Sequence, residues 1–110
     1  MADPRIKQIK IKTGVVKRLA KEKTMYEKEA VQQEEKIEKM KAENADEYDI
    51  KKQTEVLQES KMMIPDCLTR LKKAHGELAN MLEVEKELAE TEEYVAAQEI
   101  LTQTEEVMQS

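Results

Sequence analysis

Apolar side chains recur at alternating three- and four-residue steps through the middle of the chain, from Ile50 to Met81. This spacing puts them on one narrow side of an α-helix, which has to be buried against other helices. Two interleaved heptad rows form the stripe: Ile50, Leu57, Ile64, Leu71 and Leu78 in one, and Gln53, Ser60, Cys67, Ala74 and Met81 in the other. The pattern predicts one long central helix whose partners come from the rest of the chain.

An earlier heptad stripe predicts a first helix over residues 4–41. The helix is expected to begin after Asp3, whose carboxylate can accept hydrogen bonds from the first turn. A short polar segment containing Asn44 then predicts a tight reversal, and Asp46 is expected to cap the next helix. Because the connection is short, the first two helices are predicted to be antiparallel neighbours.

The central stripe passes through Pro65 without a change of register, so this proline is expected to kink the helix rather than end it. Basic residues followed by Gly76 resemble a helix C-terminus, but the stripe continues beyond them. We therefore predict a second helix over residues 46–83. A new stripe, out of register with the second, predicts a third helix over residues 88–108.

Composition agrees with a helical rod. Of the 110 residues, 39% are charged and 39% apolar, with three aromatic residues, two glycines and two prolines. High charge with few aromatic residues also typifies disordered chains, but the heptad order argues against disorder here. The sequence predicts an all-α fold: a single domain over residues 1–110 that forms an elongated, antiparallel, coiled-coil-like three-helix bundle.

Several residues interrupt the apolar stripes. Lys12, Lys23 and Gln33 occupy stripe positions, where they either fix the pairing of the helices or extend to water at the edge. Gly14 weakens its helix by roughly 1 kcal/mol relative to Ala but permits close approach of another helix or of a partner, and close packing is the favoured reason for it. Cys67 is expected to be a small buried hydrophobe rather than a reactive thiol.

Charge is unevenly distributed along the rod. Residues 3–41 carry a net charge of +5, residues 46–83 carry −2 and residues 84–110 carry −7, so the first and third helices are expected to attract each other. Residues 5–23 hold eight Lys or Arg and one acid, which alone would suit an anionic membrane, nucleic acid or calmodulin. The bundle needs the apolar face of this stretch for its core. We therefore favour a solvated basic face that could bind an acidic protein.

Residues that could carry catalysis or bind a metal form no recognisable motif. The lone His75 is expected at the surface, and the carboxylates form solvated runs without an EF-hand or a phosphate loop. No apolar run approaches the roughly 20 residues of a membrane span, and the first residues lack the apolar core of a secretory signal. We expect a cytoplasmic protein that is not an enzyme and has no cofactor, no metal, and no nucleic-acid or membrane partner.

Three longer stretches resemble a known family. They are MADPRIKQIKIKTGVVKRL at the start, KEAVQQEEKIEKMKAE in the first helix and YDIKKQTEVLQESKMMIPDC across the proline of the second. All three look like the tubulin-folding cofactor A family, also called tubulin-specific chaperone A. The resemblance is close over residues 1–67 and looser beyond, where EKELAETEEY still fits.

This resemblance implies a small cytosolic three-helix bundle that captures β-tubulin folding intermediates downstream of the chaperonin. It would hold them for transfer to other tubulin-folding cofactors, in association with the cytoskeleton and without nucleotide or metal. Binding is attributed to the helical faces rather than to a pocket. The residues that match the family pattern include Ser60 and the nine that are expected to bind the client: Lys10, Lys12, Lys17, Arg18, Lys21, Glu59, Lys61, Met62 and Met63.

Two questions stay open at this point. A structural three-helix module resembling a spectrin repeat is the alternative function, although such repeats usually occur in tandem. The rod is expected to be a monomer or a weak homodimer that pairs side by side. At most one of Met62 and Met63 can share the main stripe, so the other is expected on a second interface or exposed.

Overall fold

Three long α-helices build the protein, as seen in a computed structural model that describes residues 3–109. Helix α1 spans Pro4–Ala42, α2 spans Glu47–Val84 and α3 spans Glu92–Gln109, with a 3-10 turn at Lys86–Leu88 before α3. The molecule measures 64 × 23 × 16 Å. The predicted all-α, elongated three-helix bundle is confirmed.

The starts of α1 and α2 and the reversal between them lie where the sequence predicts them. Asp3 accepts a hydrogen bond from the backbone nitrogen of Arg5 at 2.9 Å and caps α1. Asn44 has a positive φ of 57°, a left-handed conformation that asparagine tolerates better than most residues, and the chain reverses there. Asp46 then accepts from the backbone nitrogen of Tyr48 at 2.9 Å and caps α2.

Helix α2 is continuous through Pro65 and past Gly76 to its end at Val84. The hydroxyl of Thr69 donates to the carbonyl oxygen of Pro65 at 3.0 Å, within the turn that follows the proline. Of the two end points considered from the sequence, the later one is correct. The heptad stripe is therefore a better guide to the length of this helix than its glycine.

Helix α3 begins at Glu92, four residues after the predicted start at Leu88. The buried Leu88 belongs instead to the 3-10 turn, and its carbonyl oxygen accepts from the hydroxyl of Thr91 at 2.7 Å. The same hydroxyl accepts from the backbone nitrogen of Tyr94 at 3.2 Å. Thr91 thus caps the helix, and burial of an apolar side chain before the cap misled the sequence prediction.

The core is divided into a large and a small cluster along the rod. The large cluster, where all three helices meet, includes five residues with 0% exposure: Ile9, Val16, Leu71, Leu78 and Ala97. The small cluster lies nearer the α1–α2 reversal and consists of Ala30, Ile37 and Leu57, with Ile50 and Ile64 packed against it. With 18 residues, α3 is about 27 Å long and leaves part of the rod as two helices only.

Two further sequence interpretations are wrong. Gly14 is exposed, and a Cβ placed on it would find no atom within 4 Å beyond its own helical neighbourhood, so close packing does not explain this glycine. His75 is half-buried rather than on the surface, and its Nε2 lies 3.0 Å from the carbonyl oxygen of Leu101 in α3. The heptad pattern of α2 does not reveal which flank α3 covers, so this contact was not predictable from it.

Candidate binding surface

Four lysines share one side of α1. Lys10, Lys17, Lys21 and Lys28 follow each other at intervals of seven, four and seven residues, which brings them into register on the helix surface. All four are exposed, and among residues 3–109 no ion pair joins any of them to a carboxylate. This lysine row is therefore a strip of positive charge that forms no ion pair within residues 3–109. The basic stretch identified in the sequence ends at residue 23, although the seven-residue step points on to Lys28.

An open groove of about 500 Å³ runs between the lysine row and α3. Its apolar surface comes from both helices, with Met25 on α1 and Ile100 and Val107 on α3. Three members of the lysine row form its α1 edge. The full lining, which we call the α1–α3 groove, consists of Lys17, Ala20, Lys21, Thr24, Met25, Lys28, Ile100, Gln103, Thr104 and Val107.

A second groove, of about 570 Å³, lies between α1 and α2 and is called the α1–α2 groove. Met62 and Met63 line it; Met62 is 72% exposed and Met63 half-buried, so neither is a fully buried core residue. On α1 it begins at Tyr26, which lies five residues, or about 140° of helical rotation, from Lys21. The lysine row and the pair Met62 and Met63 thus lie on different sides of α1.

The polar residues in the apolar stripe of α1 differ in their hydrogen bonding. Lys12 donates from Nζ to Oε2 of Glu77 at 2.8 Å, and this hydrogen bond lowers the pKa of Glu77. Lys23 is only 1% exposed and donates to Glu27 at 3.1 Å, so it does not extend to water. The side-chain oxygen of Gln33 is buried without a hydrogen-bond partner among residues 3–109.

The other residues expected to bind the client have varied surroundings. Arg18 is exposed and lies 4.0 Å from a carboxylate one turn along α1. Lys61 is exposed but pairs with Glu34 of α1 at 2.9 Å. Glu59 is exposed and the buried Ser60 lies beside it, both in the lining of the α1–α2 groove. Lys12 and Lys61 therefore already have partners on the facing helix.

An ion cluster that the sequence does not predict ties the start of α1 to the connection before α3. Arg5 donates to Asp3 at 2.7 Å and to Glu85 at 2.9 Å, and it also pairs with Glu87. Hydrogen bonds from the guanidinium lower the pKa of Asp3. Because Arg5 lies some 80 positions from these glutamates, no local sequence signal reveals the contact.

Between residues 3 and 109 there is no cluster of metal-binding side chains, and the cysteine is buried. Cys67 is 1% exposed, and burial raises the pKa of its thiol, as expected for a buried hydrophobe rather than a nucleophile. No group of three or more His, Cys, Asp or Glu side chains between residues 3 and 109 is arranged to hold a metal ion. Within the same residues, no helix is long and apolar enough to span a bilayer.

The geometry defines an elongated helical-bundle protein whose accessible features are open grooves and charged helix faces. A family model described as tubulin binding cofactor A matches residues 4–101, and the chain belongs to this family. The match extends well past residue 67, where the resemblance of the sequence became looser. The family assignment made from the three sequence stretches is confirmed.

Relatives and solved structures agree with this assignment. Tubulin-specific chaperone A of Gallus gallus is 73% identical over 101 residues, which cover 92% of this chain and 94% of that protein. The structure of human tubulin chaperone cofactor a is 63% identical, with a TM-score of 0.80 over 93% of this chain and 99% of the other. Tubulin folding cofactor A from Arabidopsis thaliana is 40% identical, with a TM-score of 0.84 over 94% and 97% of the two chains.

Proposed function

We propose that this protein is a tubulin-folding chaperone that captures β-tubulin folding intermediates and holds them, without catalysis, for transfer to other tubulin-folding cofactors. The observation that carries the proposal is membership of the tubulin binding cofactor A family over residues 4–101. The chaperone would act in the cytoplasm, in association with the cytoskeleton. Family membership favours this class over the spectrin-like structural module that the sequence left open.

The shape of the molecule supports a holding role. A chaperone that binds a partly folded chain needs an extended surface with both apolar and charged groups, because its client exposes both. The rod supplies such a surface along its 64 Å, with open grooves between its helices. Its lysine row gives an acidic client a favourable approach, and the attraction should weaken with salt.

We assign client binding mainly to the exposed cations of α1, which are Lys10, Lys17, Arg18 and Lys21. Met62 and Met63, with Glu59, form a second contact region on the other side of α1. Lys12 and Lys61 contribute less directly in this proposal, because each already forms an ion pair between α1 and α2.

Gel filtration of the full chain with purified β-tubulin and, separately, α-tubulin tests the proposal. We expect co-elution with β-tubulin that weakens with salt, and about tenfold weaker binding in the double variant Arg18→Glu/Lys21→Glu. The matched control is Lys36→Glu/Lys39→Glu, which reverses two exposed lysines farther along α1. No co-elution, or equal binding of α- and β-tubulin, would overturn the proposal; sedimentation of the free chain decides between monomer and weak homodimer.

A further inference from the structure

Helix α3 packs along one flank of α1. It buries Tyr94, Ala97 and Thr104 against the rest of the bundle, while residues 84–110 carry a net charge of −7. It is thus an acidic amphipathic helix packed on a basic one. Near its C-terminal end, Val107 faces the α1–α3 groove, which continues along α1 to Lys28.

The lysines of the α1–α3 groove are spaced so that carboxylates on a partner helix would match them. Lys17, Lys21 and Lys28 are separated by about 6 Å and about 10 Å along the axis of α1, from the rise of 1.5 Å per residue. Carboxylates four and seven residues apart on a helix that packs alongside would match these steps. Between the lysines, Met25 is 46% exposed and leaves apolar surface for the partner to cover.

The α1–α2 groove has the opposite character. Its charged lining residues are Glu29 and Glu59, one on each helix, and no lysine or arginine lines it. An acidic segment would be repelled there. Of the two large grooves lined by α1, only the α1–α3 groove combines apolar surface with unpaired positive charge among residues 3–109.

We propose that the α1–α3 groove docks an acidic amphipathic helix of the client, with apolar side chains against Met25, Ile100 and Val107 and carboxylates facing the lysines. This inference rests on the proposed function, because the client is the β-tubulin intermediate. The mode is that of a helix laid into a groove, in which apolar anchors supply affinity and flanking charges supply orientation.

Zero-length carbodiimide crosslinking of the complex between the full chain and β-tubulin, followed by mass spectrometry, locates the contact. We expect crosslinks from Lys17, Lys21 and Lys28 to Asp or Glu side chains within one helical segment of β-tubulin. The variant Lys21→Glu/Lys28→Glu should weaken binding about tenfold, whereas Lys21→Gln/Lys28→Gln, which removes the charge without reversing it, should weaken it less.

A second variant tests the apolar part of the groove without changing charge. Gln103 is exposed on α3, and Gln103→Trp would fill the groove and weaken β-tubulin binding about tenfold. Its control is Gln98→Trp, which adds the same ring outside this groove and should leave affinity within about twofold. Circular dichroism of each variant checks that the bundle is still folded.

The outcomes separate the two proposals. If wild-type protein forms no complex with β-tubulin, the proposed function itself fails. If the complex forms but the lysine and tryptophan variants bind normally, or crosslinks map to the α1–α2 groove, the docking inference is wrong while the proposed function stands. Crosslinks from the same lysines to a second copy of this chain in the absence of tubulin would assign the groove to self-association and also overturn the inference.

Discussion

Lys12 donates from its Nζ to Oε2 of Glu77 across 2.8 Å and thereby links α1 to α2. This places one of the residues expected to bind the client in a contact within the bundle. Both side chains are partly exposed, so the pair is screened by solvent and holds the helices less firmly than the apolar core beneath it. Its effect is best detected through its dependence on pH.

Stability contributed by Glu77 should be lost in acid. The hydrogen bond from Lys12 lowers the pKa of Glu77 below its ordinary value of 4.5, so the unfolded chain takes up a proton at higher pH than the folded one. The contribution is therefore complete above pH 4.5 and disappears as the pH falls through the lowered folded pKa. Urea midpoints of wild type and Glu77→Gln should differ by a constant amount from about pH 7 to about pH 5 and converge below that.

The matched control for this prediction is Glu55→Gln. Glu55 is exposed on the same helix and forms no ion pair with another residue of the described range 3–109. Its midpoint difference should be small and show no such convergence. A difference between wild type and Glu77→Gln that persists unchanged at about pH 3 would mean that the lowered pKa does not contribute to stability.

The phenolic hydroxyl of Tyr94 should stabilise the bundle measurably. Tyr94 is 5% exposed and donates to the carbonyl oxygen of Leu82 at 2.8 Å, which ties α3 to the end of α2. Tyr94→Phe keeps the ring but leaves a buried carbonyl unpaired, so the free energy of unfolding should fall by about 1 kcal/mol. Tyr48→Phe is the control, because Tyr48 is 62% exposed and should show almost no change in urea denaturation.

Gly14→Ala should raise the stability of the protein. The backbone at Gly14 is right-handed helix, and the added methyl group meets no atom within 4 Å beyond its local helix. The gain in helix propensity should be about 0.5–1 kcal/mol in chemical denaturation. Asn44→Ala provides a contrast of opposite sign, because a positive φ of 57° disfavours alanine there. A loss of stability in Gly14→Ala would restore the close-packing interpretation.

Much of the fold can be predicted from local patterns in the sequence. The stripe through Pro65 and Gly76 predicted an uninterrupted α2, and Asp46 predicted its start. The start of α3 was misplaced because a buried residue before the helix, Leu88, extends the apolar pattern beyond the capping Thr91. Periodicity reports which residues are buried, and here burial continues into a 3-10 turn.

The candidate site was predictable only in part. The lysines of α1 follow from their number and spacing, but the groove beside them also needs residues of α3, such as Ile100 and Val107. Which flank α3 covers is a property of the packed bundle, and contacts such as that of His75 with Leu101 become visible only there. For the same reason the sequence grouped Lys21 and Met62 as one binding set, although they face different grooves.

Because α3 is short, the two ends of the rod differ in local stability. Where three helices meet, local opening must break the large cluster, whereas near the reversal at Asn44 it disrupts only the contacts of Ala30, Ile37 and Leu57 and their neighbours. The free energy of local opening is therefore lower near the reversal, and the backbone amides there exchange with solvent sooner. The end of the rod near the reversal is therefore the more deformable one, and the end where three helices meet keeps its shape.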